Sequence, residues 1–287
     1  MDPLELVKLS ALMSRTSGRR EISVALIDGP VNTSHPALVG GNIQEIPGKL
    51  RSTCVRASST ACMHGTFVAG ILSARRGSSA PAICPDCTLL VRPIFGETAH
   101  RNNGMPSAAP AELAAAIIDT IQHGAHVINL SAALLETSGG GEDELVQALD
   151  FAAARGVITI AAAGNQGIVG SSTITRHPWV IAVVGCDEHG RPTAESNLGS
   201  SVGSSGLTAP GKNVVSLGTE DRPQTSGGTS AAAPFVTGAV ALLRSEFPNA
   251  SAAHIKLALR QGSGRRHRRI APPLLNAWAA YQSLSGN

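Results

Sequence analysis

Continuous apolar runs alternate along this chain with stretches whose apolar positions recur every three or four residues. The runs Ile22 to Ile27, Thr88 to Phe95, Val127 to Leu130, Val157 to Ala163, Trp179 to Val184 and Asn213 to Leu217 predict strands buried on both faces. The recurring pattern predicts helices over His64 to Ala74, Ala111 to His123, Glu142 to Arg155, Ser230 to Glu246 and Ser251 to Arg260, the last N-capped by Ser251. A further short helix is expected from Pro3 to Met13. Strands without polar alternation, separated by helices, imply a mostly parallel α/β sheet covered on both faces. The Gly/Ser stretches Ser138 to Gly141, Gly199 to Gly206 and Thr225 to Gly228 are too short for linkers. No internal repeat interrupts the pattern, so a single domain over residues 1–287 is expected, with its core at about 22–260. In such a sheet, ligands bind beyond the carboxyl ends of the strands.

Composition narrows the function classes. The 287 residues are 43% hydrophobic and only 15% charged, which excludes a disordered polyelectrolyte. A net charge of +3 and an aromatic set of five Phe, two Trp and one Tyr argue against a nucleic-acid partner. No apolar run reaches the ~20 residues of a membrane span. The opening Met1-Asp2-Pro3-Leu4-Glu5 lacks a basic and then apolar signal pattern, so a cytoplasmic location with mostly reduced cysteines is expected.

Three strand-end or helix-start positions carry nucleophilic chemistry. Asp28 ends the run Val24-Ala25-Leu26-Ile27 and is followed by Gly29. His64 opens His64-Gly65-Thr66-Phe67-Val68-Ala69-Gly70, in the first turn of its helix. Ser230 follows Gly227-Gly228-Thr229 and precedes Ala231-Ala232-Ala233-Pro234. Taken singly these read as a turn former, a surface helix residue and an N-cap. Their neighbours say more. Gly65, Ala69 and Gly70 strip one helix face at a cost in helix propensity, which makes sense if another backbone must approach. Gly227 and Gly228 bring backbone N–H groups to a helix start, where an oxyanion can be held. Asp, His, Ser is one of the chain orders known for a nucleophilic triad.

On these residues the sequence resembles the subtilisin-like serine proteases. The likeness rests on Ile27-Asp28-Gly29, on His64-Gly65-Thr66 with Val68-Ala69-Gly70, and on Gly228-Thr229-Ser230-Ala231 with Ala233-Pro234. Val127-Ile128-Asn129-Leu130-Ser131, Ala161-Ala162-Ala163-Gly164-Asn165 and Leu207-Thr208-Ala209-Pro210-Gly211 support it, in the family's order. The resemblance implies a three-layer subtilisin-like fold with the sheet between helices. It implies Ser230 as nucleophile, His64 as general base and acid, Asp28 as its orienting carboxylate, and Asn165 as an oxyanion donor. It also implies a peptide substrate bound as an added strand beside Ser131, Ala132 and Ala133, with Ala162, Ala163 and Gly164 walling the pocket. The family's pattern has a larger residue and glycines after the serine, where this chain has Ala132 and Ala133.

Asp28-Gly29-Pro30-Val31 with Ser34-His35-Pro36, Cys84-Pro85-Asp86-Cys87 before Arg92-Pro93-Ile94-Phe95, and Glu195-Ser196-Asn197 are similar to one branch, the cyanobactin-maturation proteases. That likeness implies removal of a leader from a ribosomally made precursor peptide. Macrocyclases of the branch carry a helical cap between the aspartate and histidine segments. Here only 35 residues intervene, so hydrolysis is expected over cyclisation. About 20 residues precede Ile22, and no prodomain is expected among them. Of the five cysteines, Cys54, Cys62, Cys84 and Cys87 are expected as thiols rather than as disulfides or a zinc site, and Cys186 as a strand-end hydrophobe. No cofactor is expected. Many subtilases bind calcium, but Glu142-Asp143-Glu144 reads as a helix start and Glu220-Asp221 as a turn. Arg265-Arg266-His267-Arg268-Arg269 reads as a solvated loop, or as a docking patch for an acidic leader.

Overall fold

The structure, a computed structural model, describes residues 1–97, 108–131, 141–263 and 270–286. Ala132, Ala133 and the run from Arg265 to Arg269 lie outside the described residues. In chain order the elements are α1 (Pro3–Leu6), α2 (Leu9–Met13), β1 (Ser23–Asp28), β2 (Ile43–Glu45), α3 (Thr60–Ser73), β3 (Thr88–Pro93), α4 (Pro110–Gln122) and β4 (Val127–Leu130). There follow α5 (Glu142–Ala154), β5 (Ile158–Ala162), α6 (Thr173–Arg176), β6 (Ile181–Cys186), α7 (Ser200–Ser205), β7 (Leu207–Pro210), β8 (Val214–Leu217), β9 (Pro223–Ser226), α8 (Thr229–Glu246), α9 (Ala252–Gly262) and α10 (Ala277–Ser285).

Seven strands form one sheet in the order β2-β3-β1-β4-β5-β6-β7. Every pairing in it is parallel. Alternation along β1 divides the core. Val24 and Leu26 face the layer built from α3, α8 and α9, while Ala25 and Ile27 face α4 and α5. This is the expected three-layer α/β arrangement. From β1 the chain builds outward to β2 and β3, then returns to β4 on the other side of β1. The switch point is therefore β1, whose carboxyl end carries Asp28. The remaining strands, β8 and β9, form an antiparallel hairpin against α3.

Differences from the sequence reading are local. Helix α3 begins at Thr60, capped by the Ser59 hydroxyl on the Cys62 N–H, so His64 sits in its second turn rather than its first. The N-terminal stretch breaks into two short helices at Lys8, which adopts φ 56°. Its Val7, Leu9 and Leu12 are fully buried in the main core. Strands β2, β7 and β9 were not anticipated, being short or rich in polar residues. Cys54 and Cys62, expected as thiols, form a disulfide across Cα atoms 5.6 Å apart, a separation within the ordinary range. It ties the first turn of α3 to the preceding loop. Cys84, Cys87 and Cys186 remain buried thiols. Among the described residues no helix is long and apolar enough to cross a membrane.

One contact fixes α3 on β1. A Cβ on Gly65 would lie 2.4 Å from the Pro30 carbonyl oxygen and 2.5 Å from that of Gly29, and a Cβ on Gly29 would lie 2.1 Å from the Ala61 oxygen. Backbone meets backbone here, as the stripped helix face suggested. In a helix interior, Gly→Ala ordinarily stabilises by about 1 kcal/mol. At position 65 overpacking should reverse the sign, costing about 1–3 kcal/mol in urea unfolding. Gly170→Ala, whose added methyl meets nothing nearer than 3.7 Å, should stay near neutral.

Candidate active site

Asp28 is 0% exposed. Its Oδ1 accepts from the Gly29 N–H at 2.6 Å and from His64 Nδ1 at 2.7 Å. A carboxylate only accepts, so Nδ1 carries the proton and Nε2 is the imidazole's free lone pair. The other carboxylate oxygen, Oδ2, is buried with no hydrogen bond among the described residues. The His64 side chain is 15% exposed. Burial is the largest single influence on its pKa and pulls it down. The Asp28 charge and the hydrogen bond to it oppose that, and together they leave the histidine above its ordinary 6.5.

Ser230 is the second residue of α8, half-buried, and Gly228 caps the helix at φ 90°. That left-handed backbone suits glycine. A side chain there would also meet the Asn165 amide, with Nδ2 2.9 Å and Oδ1 3.1 Å from an added Cβ. The Gly228 N–H donates to the Gly211 carbonyl at 2.7 Å. A Cβ on Gly211 would lie 2.6 Å from the Gly185 Cα and 2.9 Å from the Gly228 oxygen. Three glycine backbones thus stack to set the entry of α8.

Asn165 follows β5 and is exposed. Its Oδ1 accepts from the Thr229 N–H at 2.8 Å and the Thr229 hydroxyl at 3.1 Å. Since an N–H can only donate, the atom facing it is the oxygen, and Nδ2 is turned the other way, free to donate. Asn197 organises the same loop from the opposite side. Its N–H donates to the Gly164 carbonyl at 2.9 Å, and its Oδ1 accepts from the N–H groups of Gln166 and Ile168. The Gly164 N–H donates to the Thr229 hydroxyl at 3.1 Å. Neither Thr229 nor Asn197 was given a role from sequence. A hydroxyl residue directly before the serine at a helix start was the available signal for Thr229.

The carboxyl ends of β1, β4 and β5 thus bring Asp28, Ser131 and the Ala162-Ala163-Gly164-Asn165 segment to one edge of the sheet, where the N-terminal turns of α3 and α8 meet them. Ala162 and Ala163 are 7% and 8% exposed. Ser131 is buried, and its hydroxyl donates to the Ser230 carbonyl at 3.2 Å. For a metal, the described residues hold one cluster of ligand-type side chains, Cys54, Cys62 and Glu97. Its two sulfurs are joined to each other, and its carboxylate already accepts from the Val55 and Arg56 N–H groups and the Ser59 hydroxyl. The acids of Glu142 to Glu144 form the first turn of α5, as read.

The chain is similar in sequence to subtilisin DY of Bacillus licheniformis, at 29% identity over 88% of this chain and 87% of that one. Fervidolysin of Fervidobacterium pennivorans is 30% identical over 89% of the chain, which spans 39% of that longer protein. Among solved structures, the patellamide maturation protease PatA superposes with a TM-score of 0.80 at 30% identity, covering 94% of this chain and 99% of that one. The prenylagaramide maturation protease PagA gives 0.83 at 29%, covering 96% and 98%. The PatG macrocyclase domain shares the fold, with a TM-score of 0.84 at 20% identity and coverage of 99% and 97%. The family model described as the subtilase family, Peptidase S8, matches residues 19–271. The chain belongs to the subtilase family and is a subtilisin-like serine endopeptidase.

Proposed function

We propose that this protease cleaves through an Asp28-His64-Ser230 triad and removes the leader from a ribosomally made precursor peptide. The observation that carries the triad is the 2.7 Å bond between buried Asp28 and His64 Nδ1, which leaves Nε2 as the only base on the ring. The Ser230 hydroxyl is a weak nucleophile until a base takes its proton. Nε2 accepts that proton as Oγ attacks the peptide carbonyl carbon. The imidazolium then returns it to the departing amine, leaving an acyl-enzyme. Water repeats the sequence, gives its proton to Nε2, and releases the acid with Ser230 restored. Asn165 Nδ2 and the Ser230 N–H hold the oxyanion in both halves. None of these steps calls on a cofactor.

An extended substrate would lie between the segment from Ser131 through Ala132 and Ala133 and that from Ala162 to Gly164. The maturation role is supported by the likeness to PatA and PagA at about 30% identity over nearly the whole chain. Hydrolysis rather than cyclisation is supported by the path between Asp28 and α3, which holds the three-residue strand β2 and no helix. A hydrolase needs no shield against water.

A fluorophosphonate should label Ser230, displacing fluoride, and Ser230→Ala should abolish the label. Ser230→Ala or His64→Ala should lower kcat by roughly 10⁶, the scale belonging to subtilisin itself. Asn165→Ala should cost roughly 10²–10³ in kcat with little change in KM, a magnitude also taken from subtilisin.

The raised His64 pKa gives a sign to the pH dependence. Its contribution to stability is complete below the unfolded value of about 6.5 and is lost as pH rises through the folded value. Activity moves oppositely, because only neutral imidazole is a base. The acid limb of kcat/KM should therefore have its midpoint above 6.5, and a midpoint below it would contradict the pairing with Asp28.

The maturation role is tested by mass analysis of a full precursor peptide and of casein after incubation with the enzyme. One cut in the precursor and slow cutting of casein are expected. Leader truncation should lower kcat as well as raise KM, because remote binding energy positions the scissile bond. Comparable rates on both substrates would indicate a general degradative protease.

A further inference from the structure

A regular helix joins the carbonyl of each residue to the N–H four residues on. Four residues after Ser230 stands Pro234, inside α8 and without an N–H. The ordinary partner of the Ser230 carbonyl is therefore missing at the very residue whose side chain must be held in register. The Ser131 hydroxyl, arriving from the end of β4, donates to that carbonyl at 3.2 Å.

The direction of the rest follows from this end. A carbonyl only accepts, so the Ser131 proton is committed to Ser230. Asn129 must then approach Ser131 Oγ with a donor, and its Nδ2 does so at 2.7 Å. That turns Asn129 Oδ1 toward Thr237, whose single hydroxyl proton is shared between that oxygen at 2.8 Å and the Ala233 carbonyl at 3.1 Å, the nearer acceptor being Asn129. Asn129 and Thr237 are 0% exposed and Ser131 is 3%. The relay is thus a one-way chain through the core. It leaves the middle of α8, passes through β4, and returns to the first turn of α8.

The geometry points to Ser131, Asn129 and Thr237 as positioning residues that replace the hydrogen bond removed by Pro234 and so fix the nucleophile's backbone. This rests on Ser230 being the nucleophile. It also moves the Ser131 side chain from the substrate edge to the serine's own carbonyl, while the Ser131 backbone still begins that edge. Neither Asn129 nor Thr237 touches substrate. Their influence passes through Ser131.

The test uses the whole chain, a short peptide substrate and a fluorophosphonate, with rates normalised to the fraction of molecules that take the label. Ser131→Ala should lower kcat and the labelling rate roughly three- to tenfold, the range of one net hydrogen bond, with KM nearly unchanged. Pro234→Ala restores an N–H four residues after Ser230. In that background the effect of Ser131→Ala should fall below about twofold, a coupling that independent sites would not show. Thr237→Val should give a smaller loss in the same parameter, and Thr237→Ser should recover it. If Ser131→Ala does not fold, the Thr237 pair decides alone.

Equal normalised rates for parent and Ser131→Ala overturn the relay, as does a loss of the same size with and without Pro234, or a loss confined to KM. Where the Thr237 pair decides, equal rates for Val and Ser at that position overturn it. A parent that takes no label removes Ser230 as the nucleophile and this inference with it. A parent that labels while the variants match it leaves the nucleophile standing and rejects the relay only.

Discussion

A carboxylate with no exposed surface at the end of a central strand is the constraint on which this structure turns. Burying an unpaired charge is far more costly than burying a neutral group. Asp28 offsets part of that cost with one backbone N–H and one imidazole, both on the same oxygen. The imidazole can reach it only if α3 comes down on the end of β1 closely enough for backbone to touch backbone. Gly29 and Gly65 allow that approach. The Cys54–Cys62 disulfide and the Ser59 cap hold the start of the same helix from its other side. Gly65 lowers the helix propensity of α3 locally, and the paired charge and the tertiary contact outweigh that loss.

The same reasoning extends to the far side of the site. In the proposed mechanism the Asn165 amide donates to a developing oxyanion, and for that it has to be fixed in rotation, because a free side chain could present either end. Thr229 achieves this by offering two donors to Asn165 Oδ1, which leaves Nδ2 as the end available. Thr229 also stands directly before Ser230. The group that orients the amide and the proposed nucleophile are thus consecutive residues of one helix start, so their relative position is set by covalent geometry rather than by loop packing.

Much of this was readable in advance. The strand over Val127 to Leu130 and the helix over Ser230 to Glu246 match the structure to within a residue, the helix because a long periodic pattern survives tertiary context and the strand because a polar residue bounds it on each side. Asp28, His64, Asn165 and Ser230 stood out because glycines and short motifs surround them. The first turn of α3 was missed because its start is set by the Ser59 cap and the Cys54–Cys62 disulfide, which the apolar residues Ala61, Cys62 and Met63 do not mark by themselves. The disulfide runs against the expectation of reduced thiols, because compartment says nothing of geometry and the eight-residue spacing permits the bond. Strand β9 was hidden by its polar composition, and β7 by its four-residue length and its proline. The direction of the Ser131 side chain could not be read at all, since it depends on a proline about a hundred residues away in sequence.

Helix α8 joins these threads. Nearly all of it is buried, and it packs on β4, β5, β6 and β7. A helix so enclosed moves little, which suits the role proposed for Ser230, a nucleophile that must keep its geometry within a fraction of an ångström. Rigidity alone would not settle the first turn, because helix starts lack preceding carbonyl partners and Pro234 removes one further bond. The sequence meets that weakness with donors and acceptors from elsewhere: Gly211 accepts from the cap, Asn165 accepts from Thr229, and Ser131 donates to Ser230. Each comes from the carboxyl end of a different strand, so the serine is held by the sheet as well as by its own helix. The sheet's parallel topology is what makes this possible, since it delivers all of those strand ends to one edge.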